Sequence, residues 1–186
     1  QNRCDGVQFA SATFTNLTQD HLDYHSDMDA YFEAKARLFE NAPVSIINID
    51  DQYGIKLRNQ LSSKCITYGT DLKADLYFES IKADVNGSHL KFGYQGETAE
   101  LNLNLPGWFN HQNAAASIAT ALGLGAPFAK AVNGLAETPN VPGRLQPVKM
   151  GQPFGVYVDY AHTPDALEKL LLSLRRFDPK RLIVVF

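Results

Sequence analysis

Two short runs rich in β-branched residues, VSIINI (44–49) and KCITYG (64–69), flank a polar, helix-like segment, DDQYGIKLRNQL (50–61). Neighbouring parallel strands need a crossover of a dozen or more residues between them, and a helix is the usual crossover. The order strand, helix, strand therefore constrains the fold more than any other feature of this sequence. It predicts an α/β domain built on a mostly parallel sheet.

The next part of the chain, from Asp75 to Leu105, has a different pattern. It contains three strand-like pieces, and Asn86-Gly87 is a typical dipeptide for a hairpin turn. We therefore expect a small antiparallel insertion here. The alanine-rich segment 111–125 and the segment 127–138 then predict two further helices.

The segment PNVPG (139–143) contains two prolines and a glycine and predicts a hinge between two units. We place the first unit at residues 1–138 and the second at residues 144–186. In the second unit, two strand-like segments precede a well-marked helix, TPDALEKLLLSLRRF (163–177). The last segment, RLIVVF (181–186), has the pattern of a buried strand.

The composition is that of an ordinary globular chain of 186 residues, 45% hydrophobic, with a net charge of -3. It has no basic excess to favour a nucleic-acid partner and no apolar stretch long enough to span a membrane. Cys4 and Cys65, the only two cysteines, form no CxxC pair, which favours a reducing cytoplasm over an oxidising compartment. The first residues show no signal-peptide pattern and are typical of the middle of a protein.

Lys35 interrupts the apolar stripe of a predicted amphipathic helix, MDAYFEAKARLFENA (28–42). Its aliphatic stem can lie on apolar surface while the ammonium reaches water. Alternatively, an apolar setting favours the neutral amine, which can react with carbon dioxide to give a carbamate, an oxygen ligand suited to Mg²⁺. His21, in the polar stretch before the helix, is then a candidate companion ligand, although this stretch is also typical of a solvated loop. We expect Ser26 to cap the helix.

Two asparagines, Asn110 and Asn113, lie three positions apart in WFNHQNAAA, where a helix is expected to begin. Residues at this spacing share a helix face. Paired amides offer donor and acceptor edges that match a nucleobase. The alternative is that Asn110 caps the helix and Asn113 is a surface residue.

The segment VDYAHTPDAL combines the end of a strand at Asp159 with the start of a helix after Thr163. Anionic ligands bind at such positions in α/β folds, because free N–H groups and the helix dipole favour negative charge. His162 and Arg144 could add positive charge. The same residues also fit a well-capped strand-to-helix turn with no ligand.

Three longer segments resemble the Mur ligases of bacterial cell-wall synthesis, and the similarity extends over essentially the whole chain. They are FTNLTQDHLDYHSDMDAYFEAKARLF, NVPGRLQPV and, most specifically, VDYAHTPDALEKLL. The resemblance implies the central ATP-binding domain of this family, followed by the beginning of its Rossmann-like C-terminal domain. It also implies an ATP-dependent amide ligase that adds a third amino acid, meso-diaminopimelate or L-lysine, to UDP-MurNAc-L-Ala-D-Glu through an acyl phosphate, with Mg²⁺.

The resemblance assigns roles to individual residues of the first unit. Lys35 is the carbamylated lysine, and His21 is its companion at a Mg²⁺ site. Asn110 and Asn113 lie in the motif that contacts adenine.

Further roles follow from the resemblance at the hinge, in the second unit and at the first residues. Arg144 reaches the ATP phosphates, Asp159 holds the ribose, and His162 lies near the phosphates. Gln1 and Arg3 contact the UDP-MurNAc substrate.

The sequence also departs from the family pattern. It lacks the phosphate-binding loop G-x-x-x-x-G-K-[ST], and the family's UDP-binding domain and most of its C-terminal domain are missing. We therefore expect an internal piece of the ligase with no ligase activity of its own. Alternatives are a folylpolyglutamate synthase-like ligase and a noncatalytic nucleotide-binding domain. A hydrolase with a carbamate-bridged metal pair needs more His and Asp ligands than five scattered histidines allow us to assemble.

Overall fold

The computed structural model describes residues 6–18, 27–139 and 141–185. Its main feature is a six-stranded sheet in which the strands follow one another in chain order. The strands are β1 (Ala12–Phe14), β2 (Val44–Asn48), β3 (Lys64–Gly69), β4 (Leu76–Asp84), β5 (Gly87–Tyr94) and β6 (Glu97–Leu103). Strands β1 to β4 pair in parallel, and β4 to β6 pair antiparallel.

Four helices accompany this sheet, and a smaller element group follows the hinge. The helices are α1 (Met28–Glu40), α2 (Gln52–Gln60), α3 (Trp108–Gly123) and α4 (Phe128–Ala136). After the hinge come β7 (Gln146–Pro147), β8 (Tyr157–Val158) and α5 (Pro164–Arg175). Strands β7 and β8 form a separate antiparallel pair.

Helices cover both faces of the sheet, as expected for an α/β fold. Successive residues of a strand point to opposite faces, and Ile46 and Ile47, both fully buried, belong to two different core clusters. The cluster of Ile46 includes residues of α3 and α4, whereas that of Ile47 includes residues of α1 and α2. The predicted mostly parallel sheet with helices is therefore confirmed.

The predicted antiparallel insertion is present, and its strands extend the parallel sheet. Two residue pairs, Tyr68 with Leu76 and Gly69 with Tyr77, join the parallel part to β4. The first hairpin loop is Val85–Asn86, because Gly87 already pairs with Asp84. The turn therefore lies one residue earlier than predicted.

Two predictions about helix and strand ends need correction. Asp27 caps α1, since its side chain accepts a hydrogen bond from the Ala30 N–H at 2.8 Å; Ser26, the predicted cap, lies outside the described residues. The segment RLIVVF does not form a strand over residues 181–185, and Val185 is 93% exposed. A strand needs a neighbour to accept its backbone hydrogen bonds, and no strand of the described ranges pairs with this segment.

Helix α5 begins as the sequence predicts. Thr163 accepts a hydrogen bond from the Ala166 N–H at 3.3 Å, and Pro164 occupies the first helical position.

Within the described ranges, every helix is too short or too polar to cross a membrane.

Candidate functional site

Asp159 ties the hinge to the turn between β8 and α5. One carboxylate oxygen accepts a hydrogen bond from the Leu145 N–H and the other from the Ala161 N–H, each at 2.8 Å. The Tyr160 N–H also donates to the Gly143 carbonyl, at 2.8 Å. These bonds hold the hinge segment and the turn together as one local structure.

The exposed ring of Tyr160 brings two predicted site residues together. The Arg144 guanidinium lies 5.8 Å from the centre of this ring, and the His162 imidazole meets it edge-on at 4.7 Å. His162 also forms a hydrogen bond between its Nδ1 and the Tyr160 carbonyl, at 2.8 Å. We call Arg144, Asp159, Tyr160 and His162 the hinge cluster. Three of its four members were predicted as site residues, and Tyr160 was not.

Arg144 and His162 give the hinge cluster its chemistry. Both side chains are exposed, and a guanidinium presents five donors in a planar fork that matches phosphate oxygens. The cluster also lies directly before the first turn of α5, where free N–H groups and the dipole favour an anion. An anionic ligand such as a phosphate group suits this surface.

Leu145, the residue after Arg144, packs beside the start of α3. Its side chain is fully buried, and a Cβ added to Gly107 would lie 2.9 Å from Leu145 Cδ1. Its φ of 43° is in the left-handed region, which is unfavourable for a leucine. Packing and the hydrogen bond to Asp159 therefore hold the hinge in a strained conformation next to this helix.

The two asparagines at the start of α3 have different surroundings. Asn110 is buried, and its Nδ2 donates to the Pro106 carbonyl at 2.8 Å. Asn113 is exposed one turn further along. Asn110 does not cap the helix, because the N-cap position is Gly107. The amide of Asn110 instead stabilises the loop before α3, while Asn113 presents its amide to solvent.

His111 is the buried titratable group nearest these asparagines in sequence. It is 3% exposed, and its Nε2 forms a hydrogen bond with Ser88 Oγ at 2.6 Å. Burial, helped by the charge of Arg176, lowers the pKa of the imidazole to about 4. The ring is therefore neutral at physiological pH and adds no positive charge to the site.

Lys35 lies on α1, far from the hinge cluster along the chain. The stripe on α1 is only partly buried: Phe32 and Phe39 are covered, but Leu38 is 36% exposed. Lys35 is half-buried, and its Nζ lies 5.2 Å from the centre of the Tyr31 ring. The expected apolar setting is therefore incomplete, and the lysine extends along the edge of the core with its ammonium over an aromatic face.

Three further predicted residues, His21, Gln1 and Arg3, lie outside the described residues. Within those that the structure describes, no three or more His, Cys, Asp or Glu side chains are grouped as a metal site. We assign no chemical step to Mg²⁺.

Sequence reasoning missed the polar residues at the end of β2 and directly after it. The Asp51 carboxylate accepts from the N–H groups of Tyr53 and Leu17, at 2.8 and 3.1 Å. Asn48 donates to the Thr15 carbonyl at 2.7 Å. These contacts hold the segment that follows β1. Their signal in the sequence was the polar run NIDD at the carboxyl end of a buried strand, where ligand crevices of α/β sheets lie.

Comparison with known families gives two matches along the chain. Residues 1–121 match the Mur ligase middle domain, and residues 143–186 match the Mur ligase glutamate ligase domain. The chain belongs to the Mur ligase family. The resemblance seen in the sequence is therefore confirmed.

This Mur ligase chain is similar over its whole length to ligases that bear one name. It is 43% identical over 187 residues to UDP-N-acetylmuramoyl-L-alanyl-D-glutamate--2,6-diaminopimelate ligase 1 of Clostridium acetobutylicum. It is also 43% identical over 196 residues to the ligase of that name from Thermosynechococcus vestitus. In both comparisons all of this chain is covered, but it spans only 39% of the relative.

Solved structures agree with this assignment. A UDP-N-acetylmuramoyl-L-alanyl-D-glutamate--2,6-diaminopimelate ligase is 34% identical with a TM-score of 0.77, covering 94% of this Mur ligase chain and 37% of the other. MurF ligase from Thermotoga maritima, solved in complex with ADP, has a TM-score of 0.77 at 18% identity, over 93% of this chain and 40% of that one. The second likeness concerns the fold alone.

Proposed function

We propose that the intact protein is an ATP-dependent amide ligase that adds meso-diaminopimelate to UDP-MurNAc-L-Ala-D-Glu, the MurE activity of peptidoglycan synthesis. The names of the relatives that are 43% identical over the full chain support this choice of amino acid over L-lysine. ATP is a substrate of this reaction. One amide bond forms, and ATP is converted to ADP and phosphate through an acyl phosphate on the glutamate carboxylate.

The observation that supports the proposal is the packing of Leu145, the residue after Arg144, beside Gly107, the N-cap of α3. Leu145 is fully buried next to Gly107, which lies three residues before Asn110. A nucleotide needs cationic and N–H donors for its phosphates and a polar edge for its base. Arg144 and His162 offer the first kind of group, and the exposed amide of Asn113 on α3 offers the second.

We assign roles within the hinge cluster accordingly. Arg144 and His162 bind the phosphates, and positioning and charge neutralisation of this kind provide most of the catalysis in phosphoryl transfer. Asp159 contacts the ribose with the acceptor capacity that its two backbone hydrogen bonds leave, since a carboxylate has about four acceptor sites.

At α3, Asn113 contacts the adenine, and Asn110 keeps the preceding loop in place through Pro106. We retain Lys35, as a carbamate, and His21 as proposed ligands of Mg²⁺, which would neutralise phosphate charge. Gln1 and Arg3 remain proposed contacts of UDP-MurNAc. We place the protein in the cytoplasm, where Cys65, a free cysteine, would stay reduced.

The test is a ligation assay of the intact protein with UDP-MurNAc-L-Ala-D-Glu, ATP and Mg²⁺. We expect phosphate release and a tripeptide product with meso-diaminopimelate, and at least about tenfold lower kcat/KM with L-lysine, which lacks the second carboxylate. A preference for L-lysine would contradict the choice of amino acid. Phosphate release with a folate and glutamate instead would support the folylpolyglutamate synthase alternative. The 186-residue chain alone is expected to be inactive.

A further inference from the structure

Helix α5 of the second unit contacts the first turn of α3 through a buried serine. Ser173 is 6% exposed, and its Oγ accepts a hydrogen bond from the Trp108 N–H at 2.9 Å. Trp108 is the first residue of α3. A residue beyond the hinge therefore binds one of the N–H groups that a helix start leaves without a partner.

The start of α3 has a specific need for such an acceptor. Its N-cap is Gly107, which has no side chain to accept a hydrogen bond. Serine is among the residues that most often cap helices, because its oxygen accepts from first-turn N–H groups. Ser173 provides this oxygen from another helix, 65 positions later in the chain.

A second contact reaches the same residue from the end of α5. The Arg176 guanidinium lies 5.1 Å from the centre of the Trp108 ring. The indole in turn meets the His111 ring edge-on at 5.5 Å, and His111 is hydrogen-bonded to Ser88 on β5. A continuous series of contacts thus runs from α5 through Trp108 into the sheet.

These contacts converge on the turn that carries the two asparagines. Trp108 is two residues before Asn110 and five before Asn113. A rigid first turn fixes the direction in which the Asn113 amide points, because both lie on one continuous helix. Without an acceptor for the Trp108 N–H, the start of the helix is free to fray.

We propose that Ser173 and Arg176 are positioning residues of the nucleotide site, which stabilise the first turn of α3 and thereby orient the Asn113 amide towards the adenine of ATP. This inference rests on the proposed function, because it assumes that α3 binds the adenine. It adds to that proposal a contribution of α5 to nucleotide affinity. Neither residue touches ATP, and neither takes part in the chemical step.

The first experiment measures steady-state kinetics of the intact protein with Ser173→Ala. We expect the KM for ATP to rise about 3- to 10-fold with kcat nearly unchanged. A first turn without its cap is less stable, so it holds the Asn113 amide less firmly and binds ATP less tightly. Ser173→Thr retains the hydroxyl oxygen and should restore a KM close to that of the wild type. Ser62→Ala, at an exposed serine in the loop before β3, is the matched control and should have no effect.

Asn113→Ala separates this inference from the proposed function. If Asn113→Ala raises the KM for ATP and Ser173→Ala does not, the positioning role is wrong while the adenine site stands. If Asn113→Ala leaves the KM unchanged, the adenine assignment fails, and the positioning role fails with it. A fall in kcat with an unchanged KM for ATP in Ser173→Ala would also overturn the inference.

Arg176→Leu provides a test that does not depend on Ser173. We expect a KM for ATP raised about 2- to 3-fold, since an exposed cation–π contact is weaker than a buried cap. The fluorescence emission of Trp108, the only tryptophan of this chain, should also change in Arg176→Leu. Its contribution is measured as the difference between the emission of each enzyme and that of the same enzyme carrying Trp108→Phe. Lys169→Ala, which breaks only an exposed ion pair within α5, is the control. An Arg176→Leu enzyme with wild-type KM and emission would contradict the proposed contact.

Discussion

At the scale of single residues, Asp159 combines a structural role with a proposed binding role. Its two carboxylate oxygens each accept a backbone hydrogen bond, and one of these comes from Leu145, a leucine with a φ of 43°. The sequence pointed to Asp159 because it ends a strand before a helix, which is where ligands bind. It could not show the bond to Leu145, because that contact depends on the conformation of the hinge.

Asp159→Asn should weaken this local structure. An amide has only one acceptor oxygen, so one of the two N–H groups loses its partner, at a cost of about 1–3 kcal/mol in the free energy of unfolding. We expect the unfolding transition that includes the hinge to occur at lower temperature, as measured by calorimetry. Asp165→Asn, which removes the exposed ion pair with Lys169 and a first-turn charge of α5 but no backbone hydrogen bond of Asp159, is the control. Equal effects of the two substitutions would show that the bonds of Asp159 contribute little.

At the scale of elements, the sequence predicted most helices and parallel strands because their signals are local. The run VSIINI and the cap of α5 at Thr163 depend on neighbouring residues only. The segment RLIVVF was predicted wrongly, since a strand requires a partner elsewhere in the protein. The cap that Ser173 gives to α3 could not be predicted either, because it joins residues 65 positions apart.

The packing of α3 on the sheet makes the protein sensitive to acid. Burial lowers the pKa of His111 from its ordinary value of 6.5 to about 4. Between these two values the unfolded chain binds a proton that the folded chain does not, so the free energy of unfolding falls as the pH decreases from 6.5 to 4. The loss from this one group is at most about 1.4 kcal/mol per pH unit.

His111→Gln should therefore make the melting temperature less dependent on pH in this interval, while at pH 7.5 the variant is expected to be less stable than the wild type because of imperfect packing. Thermal melts at several pH values measure this. His89→Gln, at the half-buried histidine next to Ser88 on β5, is the control. An unchanged pH dependence in His111→Gln would mean that His111 is not the group responsible.

At the scale of the whole molecule, the chain matches two domains of the Mur ligase family, the middle domain over residues 1–121 and the glutamate ligase domain over residues 143–186. Leu145, Ser173 and Arg176 all bring the second unit to the start of α3. The chain spans 39% of its curated relatives, so the complete activity belongs to the intact protein. The family resemblance predicted Arg144, Asp159 and His162 as site residues, whereas the contacts that group them, through Tyr160 and Leu145, depend on packing between separate segments.

The central claim is that the hinge cluster and α3 bind ATP. A crystal structure of the intact protein with ADP and Mg²⁺ tests it most directly. We predict electron density for adenine beside Asn113 and for the phosphates within hydrogen-bonding distance of Arg144 or His162. Density for the nucleotide elsewhere, with Asn113, Arg144 and His162 free of it, would contradict the account.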